Sequence, residues 1–119
     1  MASILGDKSL QFALSIIEVY KILVSDKKEF VLSKQILRSG TSIGANIREA
    51  QNAESKMDFI HKLAIAQKEC DETLYWLELL FKSNYLQQNK YEEMSGKAQE
   101  IIKMLRSSIL TVKSKLKKA

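Results

Sequence analysis

The sequence predicts an all-α fold: an antiparallel up-down-up-down four-helix bundle that assembles into a homo-oligomer, built from a single domain over residues 1–119. Three observations point there. Turn formers are scarce, with no proline and four glycines in 119 residues, whereas sheet-and-turn folds need φ-locked and positive-φ residues in quantity. Apolar residues recur at three- and four-residue steps in four successive blocks. The blocks are separated by short polar stretches carrying helix-start signals. Apolar residues at 45% and charged residues at 28% are ordinary for a globular chain and exclude a disordered one. A chain of this length buries roughly 65% of its unfolded surface, enough for a core without staples.

The helices are expected at about 8–25, 27–51, 56–83 and 90–116. The first opens after Gly6, with Asp7 as its N-cap, and Phe12, Ala13, Ile16, Tyr20, Leu23 and Val24 form its stripe. Asp26 with Glu29 three residues on reads as a capping box for the second helix. Its inward row is Leu32, Ile36, Ser39, Ile43, Asn46 or Ile47, and Ala50. Ser55 with Asp58, and Asn89 with Glu92, repeat the box for the third and fourth. Ile60, Leu63, Gln67, Cys70, Leu74, Leu77 and Phe81 give the third helix an unbroken 3-4 seam; Tyr91, Met94, Ala98, Ile101, Leu105, Ser108 and Val112 do so for the fourth. Helices of ~25 residues are on the order of 38 Å long, and short connections make sequence neighbours antiparallel.

Two segments stand out. Gly40 and Gly44, beside Thr41 and Ala45, put a small-residue face on the second helix, where each glycine costs ~1 kcal/mol against alanine. Close approach of another backbone offsets that, and the spacing fits no phosphate-cradling loop. From Leu74 to Phe81 the third helix is apolar nearly all round, and Ile102, Ile109 and Leu116 add a second line on the fourth. A monomer leaves Trp76, Leu79, Leu80, Ile102 and Ile109 as surplus, so these are the expected oligomer contacts.

Catalytic and metal chemistry find few residues. The lone cysteine, Cys70, falls on the apolar seam and excludes an intrachain disulfide. The lone histidine, His61, lies nine residues away on the same helix, roughly 13 Å along its axis, and reads with Asp58 as a solvated pair. A bundle di-iron site needs two Glu-x-x-His motifs. No enzyme, metal or cofactor is expected. The amino-terminal residues show no signal peptide, and no run of 18 apolar residues occurs, so the expected setting is cytoplasmic with no membrane partner.

Charge is uneven. The net is +5, and residues 101–119 hold six basic groups and no acid. Lys103, Arg106, Lys113, Lys115, Lys117 and Lys118 are therefore candidate phosphate contacts, with the alternative that they complement the helix dipole. Arg38 and Arg48 flank the small-residue segment and join the candidates, unless they pair with carboxylates such as Glu69 or Glu72. A partly inward Asn46 has the character of a register-fixing amide.

The run from Gln35 to Ala50, with its Arg38-Ser39-x-x-Ser42-Ile43-x-x-Asn46-Ile47-x-Glu49 core, resembles the bacterial four-helix-bundle family encoded by intervening sequences in 23S ribosomal RNA genes. Asp58-Phe59-Ile60, Lys62-Leu63, Glu72-Thr73 and Tyr75-Trp76-Leu77 extend the likeness along the third helix. The resemblance implies a non-enzymatic homopentamer. More distantly the chain is similar to the accessory protein of diversity-generating retroelements, which implies a basic pentamer acting with nucleic acid and a reverse transcriptase.

Two functions follow from the sequence. One is a non-catalytic oligomer binding RNA or DNA through backbone contacts, with fivefold assembly raising +5 to about +25. The other is a scaffold that docks a protein partner, its basicity serving solubility. A third reading, the basic fourth helix lying on an anionic membrane, competes with that helix's role in the bundle.

Overall fold

The structure, a computed structural model, describes residues 3–118. Four α-helices, α1 Ile4–Ser25, α2 Leu32–Gln51, α3 Lys56–Lys82 and α4 Gln88–Lys118, pack side by side into a rod of 53 × 22 × 21 Å. No strand occurs among the described residues. Each helix packs on its sequence neighbours and α1 closes the ring against α4, while the diagonal pairs stay apart.

Local chemistry sets the boundaries. Ser3, not Asp7, caps α1: its hydroxyl accepts the Gly6 N–H at 2.7 Å, which leaves Asp7 inside the first turn. The Asp26–Glu29 box does not form. Asp26 ends α1 by donating its N–H to the Ile22 carbonyl, and Lys28 then turns the chain through the left-handed region at φ 54°. Glu29 instead caps α2 from three residues upstream, its carboxylate accepting the N–H groups of Leu32 at 3.0 Å and Ser33 at 2.7 Å. Burial works to raise the Glu29 pKa, but these donations and that of Val31 outweigh it and hold the carboxyl below its ordinary value.

At α3 the expected cap is present, with Ser55 accepting the Asp58 N–H at 3.0 Å and Asp58 accepting that of Glu54 at 3.3 Å. The Asn89–Glu92 box is absent because α4 already begins at Gln88, whose amide donates to Glu92 at 3.0 Å.

One continuous core runs between the helices. The central line of α4, Met94, Ala98, Ile101 and Leu105, is buried as its spacing predicts. On α1, Val19 is buried where Tyr20 and Val24 are only partly so. The seam of α3 departs from the strict 3-4 repeat. Ala66, Thr73 and Leu80 are fully buried, whereas Gln67, Leu74 and Phe81 are half-buried one residue further round. A straight helix presents a broad face rather than a coiled-coil line. Here α2 lies on the Ala66–Thr73 side, where small side chains admit it, and α4 takes the Phe81 side, where Phe81 stacks on Tyr91 at 4.6 Å.

That rotation corrects the expected contact residues. Leu80 is 0% exposed, and Ile102 and Ile109 are buried beside the main line of α4, because α4 presents two adjacent rows to the core. These three side chains are internal to one chain. Trp76 and Leu79 stay partly exposed, next to the 57%-exposed Tyr75.

Candidate nucleic-acid interface

Helix α2 carries the densest polar motif, and the structure resolves where its side chains go. The Arg38 guanidinium bridges two carboxylates of α3: Nη1 lies 3.1 Å from Glu69 Oε2, and Nη2 meets Glu72. Both carboxylates raise the Arg38 pKa further. Glu72 also accepts the Trp76 indole N–H at 3.0 Å; this bond, more than Arg38, draws its carboxyl below the ordinary range against the opposing effect of burial. Ser39 is buried and hydrogen-bonded to Thr73 at 2.9 Å, and Glu49 pairs with Lys62 at 3.1 Å. Arg38 is thus occupied within the chain, as the pairing alternative had it.

Within the chain, Asn46 Nδ2 donates to the Ser42 carbonyl one turn back, at 2.8 Å, a bond inside its own helix and not to a neighbouring one. The two glycines of the motif face α1. A Cβ on Gly40 would stand 2.7 Å from Ile16 Cγ1, and one on Gly44 would stand 3.3 Å from the Ser9 hydroxyl. The small-residue face is therefore a place of close helix approach, and α2 runs through it unbroken. The motif reads as the joinery of α2 to its neighbours.

Cys70 is fully buried, 3.2 Å from the Ala98 carbonyl, and burial pushes its thiol up to about 12, with the Asp71 charge adding to the shift and Arg106 opposing it. Such a thiol is neither nucleophile nor ligand at neutral pH. His61 is exposed on the outer side of α3. Among the described residues no three His, Cys, Asp or Glu side chains are grouped to hold a metal ion. Among the described residues no helix is long and apolar enough to cross a membrane.

The basic groups of α4 are placed differently from Arg38. Lys103, Arg106, Lys113, Lys115, Lys117 and Lys118 are all exposed, and among the described residues none of the six pairs with a carboxylate. Elsewhere Lys8, Lys21, Lys62, Lys82, Lys90 and Lys97 have an acidic partner, and Lys27, Lys28, Lys34, Lys56 and Lys68 are exposed with none among the described residues. What sets α4 apart is the clustering of its cations in a stretch without acids. The six do not form one patch. Lys103, Arg106, Lys113 and Lys117 share one outward ridge, in register with Leu110 at steps of three and four, about 21 Å long. Lys115 turns away to a cavity of about 320 Å³ shared with Lys56, Phe59 and Val112. Arg48 is exposed at the mouth of a cavity of about 430 Å³ between α1 and α2, floored by Gly6, Ala13, Gly44 and Ala45.

Leu110, 67% exposed at the centre of the ridge, was not singled out by the apolar pattern because it lies on the polar side of α4. The repeat 103-106-110-113-117 is visible in the sequence once the outward face is traced instead of the inward one.

Comparison with known proteins agrees with this architecture. Among curated proteins none matches the chain. Among solved structures, it is similar to a protein of unknown function from the S23 ribosomal protein family of Bacteroides thetaiotaomicron, with 57% identity and a TM-score of 0.88 over 89% of this chain and 98% of that one. The family described as 23S rRNA-intervening sequence protein matches residues 3–107, which span all of α1 to α3 and α4 as far as the first half of the ridge. By that match, the chain belongs to the 23S rRNA-intervening sequence protein family.

Proposed function

We propose that this protein is a non-catalytic, self-associating bundle that binds RNA or DNA by its phosphate backbone, in the cytoplasm. The observation that carries this reading is the concentration of charge on α4: six exposed cations with no acidic partner among the described residues, in a stretch from residue 101 onward that holds no acidic side chain. The basic groups elsewhere are interspersed with acids, and six of the other eleven lysines are paired. A cation held near a carboxylate has little to give a phosphate; one held apart contributes its full charge and releases counterions on binding.

The topology in this reading is up-down-up-down. Supporting it, Arg38 in the first half of α2 meets Glu69 and Glu72 at and just past the middle of α3, while Glu49 near the end of α2 meets Lys62 nearer the start of α3. Contacts thus move backward along α3 as they move forward along α2. Lys8 near the start of α1 pairs with Glu100 on α4, 2.6 Å away, and ties those two helices together. Self-association, up to a homopentamer, rests on Tyr75, Trp76 and Leu79 now that Leu80, Ile102 and Ile109 are internal. Assembly multiplies a charge of +5 per chain, giving a field that steers a polyanion.

The test is filter binding of the full chain to RNA and DNA across a salt series. With four ridge cations on phosphates, log K falls against log salt with a slope of roughly −3 to −4 per chain. Affinity that ignores ionic strength, or capture of a single protein with no nucleic acid retained after nuclease treatment, overturns the reading in favour of a protein scaffold.

A further inference from the structure

Resting on that nucleic-acid reading, we infer that the α4 ridge fits a duplex and straddles a wide groove, with Lys103 and Arg106 on one phosphate row, Lys113 and Lys117 on the other, and Leu110 over the groove between them.

Three features of the ridge carry this. First, its cations come as two pairs separated by an exposed apolar side chain, not as an even row. The pair centres are roughly 16 Å apart along the helix axis. A B-form major groove is about 12 Å between its banks, and flexible lysine and arginine stems span the remainder. A leucine at the midpoint is misplaced for a continuous phosphate line but well placed over a groove, where bases present apolar as well as polar edges.

Second, the ridge has no means of holding unpaired bases. Single-strand recognition relies on exposed aromatic rings that stack on splayed bases. The only aromatic of α4 is Tyr91, which is half-buried and stacked on Phe81 at 4.6 Å, some eighteen ångströms or more (about twelve residues) before Lys103 along the axis. Third, no acidic side chain interrupts α4 from residue 101 onward, and Glu100, the last before it, is engaged by Lys8. The ridge's own helix therefore offers positive charge to both banks of a groove with no acidic side chain between.

B-form DNA and A-form RNA share the required chemistry, two phosphate rows flanking a wide groove, which is the major groove in the first and the minor groove in the second. The experiment separates them. Full-length protein is titrated by fluorescence anisotropy, at about 0.1 M salt, into a mixed-sequence DNA duplex, an RNA duplex and a single strand. Each is about 24 nucleotides long, well beyond the ~21 Å ridge. The expected result is at least ten-fold tighter binding to one duplex than to the single strand. Preference for the DNA duplex assigns the major groove, and preference for the RNA duplex the minor groove.

Lys103→Gln with Arg106→Gln, and separately Lys113→Gln with Lys117→Gln, are each expected to weaken duplex binding by about 50-fold at that salt. Leu110→Glu, at an exposed position that leaves the thermal melt unchanged, is expected to weaken duplex binding more than single-strand binding. A single strand bound as tightly as either duplex overturns the groove assignment and leaves the nucleic-acid reading intact. Loss on mutating one pair only also overturns it. Absence of salt-dependent binding to all three removes both.

Discussion

The hydroxyls of Ser39 and Thr73 meet 2.9 Å apart where α2 crosses α3, and both side chains are 0% exposed. Thr73 also reaches the Glu69 carbonyl at 2.8 Å, so this contact ties the buried centre of the seam to the turn that carries Arg38's partner. Thr73→Val is isosteric but strands the Ser39 hydroxyl without water or partner, and is expected to cost about 1–3 kcal/mol in urea unfolding. Adding Ser39→Ala should restore part of that loss, because removing both partners of a buried hydrogen bond is milder than orphaning one. A double mutant less stable than the sum of the single ones sinks this account.

The glycines of two helices should respond in opposite directions to the same substitution. Gly40→Ala gains helix propensity of about 1 kcal/mol but sets a methyl group 2.7 Å from Ile16, and net destabilisation of about 1–3 kcal/mol is expected. Gly96 is exposed inside α4 with nothing within 4 Å of a new Cβ, so Gly96→Ala should stabilise by roughly 0.5–1 kcal/mol. Thermal melts of the two variants compare them directly.

Glu29 predicts a pH signature. Its carboxyl is held below the ordinary value of 4.5, so its capping contribution is complete above that pH and disappears as the pH falls through the lower, folded-state value. Glu29→Gln is expected to cost about 1 kcal/mol at neutral pH, the usual worth of a cap. The gap between the two proteins should narrow as the pH drops below 4.5, which chemical unfolding at a series of pH values will show. A gap independent of pH would mean that the charge of Glu29 contributes nothing.

Leu79 and Leu80 are adjacent yet should behave as different kinds of residue. Leu80→Ala empties a fully buried site and is expected to cost about 2–5 kcal/mol of stability. Leu79→Glu, at a partly exposed site, should leave the melt nearly unchanged and reduce the mass measured by light scattering if Tyr75, Trp76 and Leu79 form the contact between copies. An unchanged mass moves the self-contact elsewhere.

Helix number, the central line of α4 and the Ser55 cap were readable because each depends on neighbours in sequence alone. The start of α2 was not. Asp26 and Glu29 have the spacing of a capping box, but Lys28 adopts a positive φ between them, and that turn is decided by where α1 ends against the core. The α3 seam shows a second limit. A 3-4 repeat fits Phe81 as well as Leu80, and only the closeness of α2, admitted by Ala66 and Thr73, selects between them. For the candidate site, the six cations were legible as charge. Their division into a four-membered ridge and two outliers was present in the 3-4 spacing of residues 103, 106, 110, 113 and 117, but tracing the buried face of α4 alone passes over it.

Cys70 makes the molecule its own recorder of opening. The thiol is sealed among α3 and α4 and held protonated to about pH 12, so an alkylating reagent has no target in the closed state. Modification must wait for the two helices to part, and its rate under native conditions therefore counts how often the interior is breached. Bound nucleic acid or added copies of the chain, by lengthening that wait, would register their presence at a sulfur atom none of them touches.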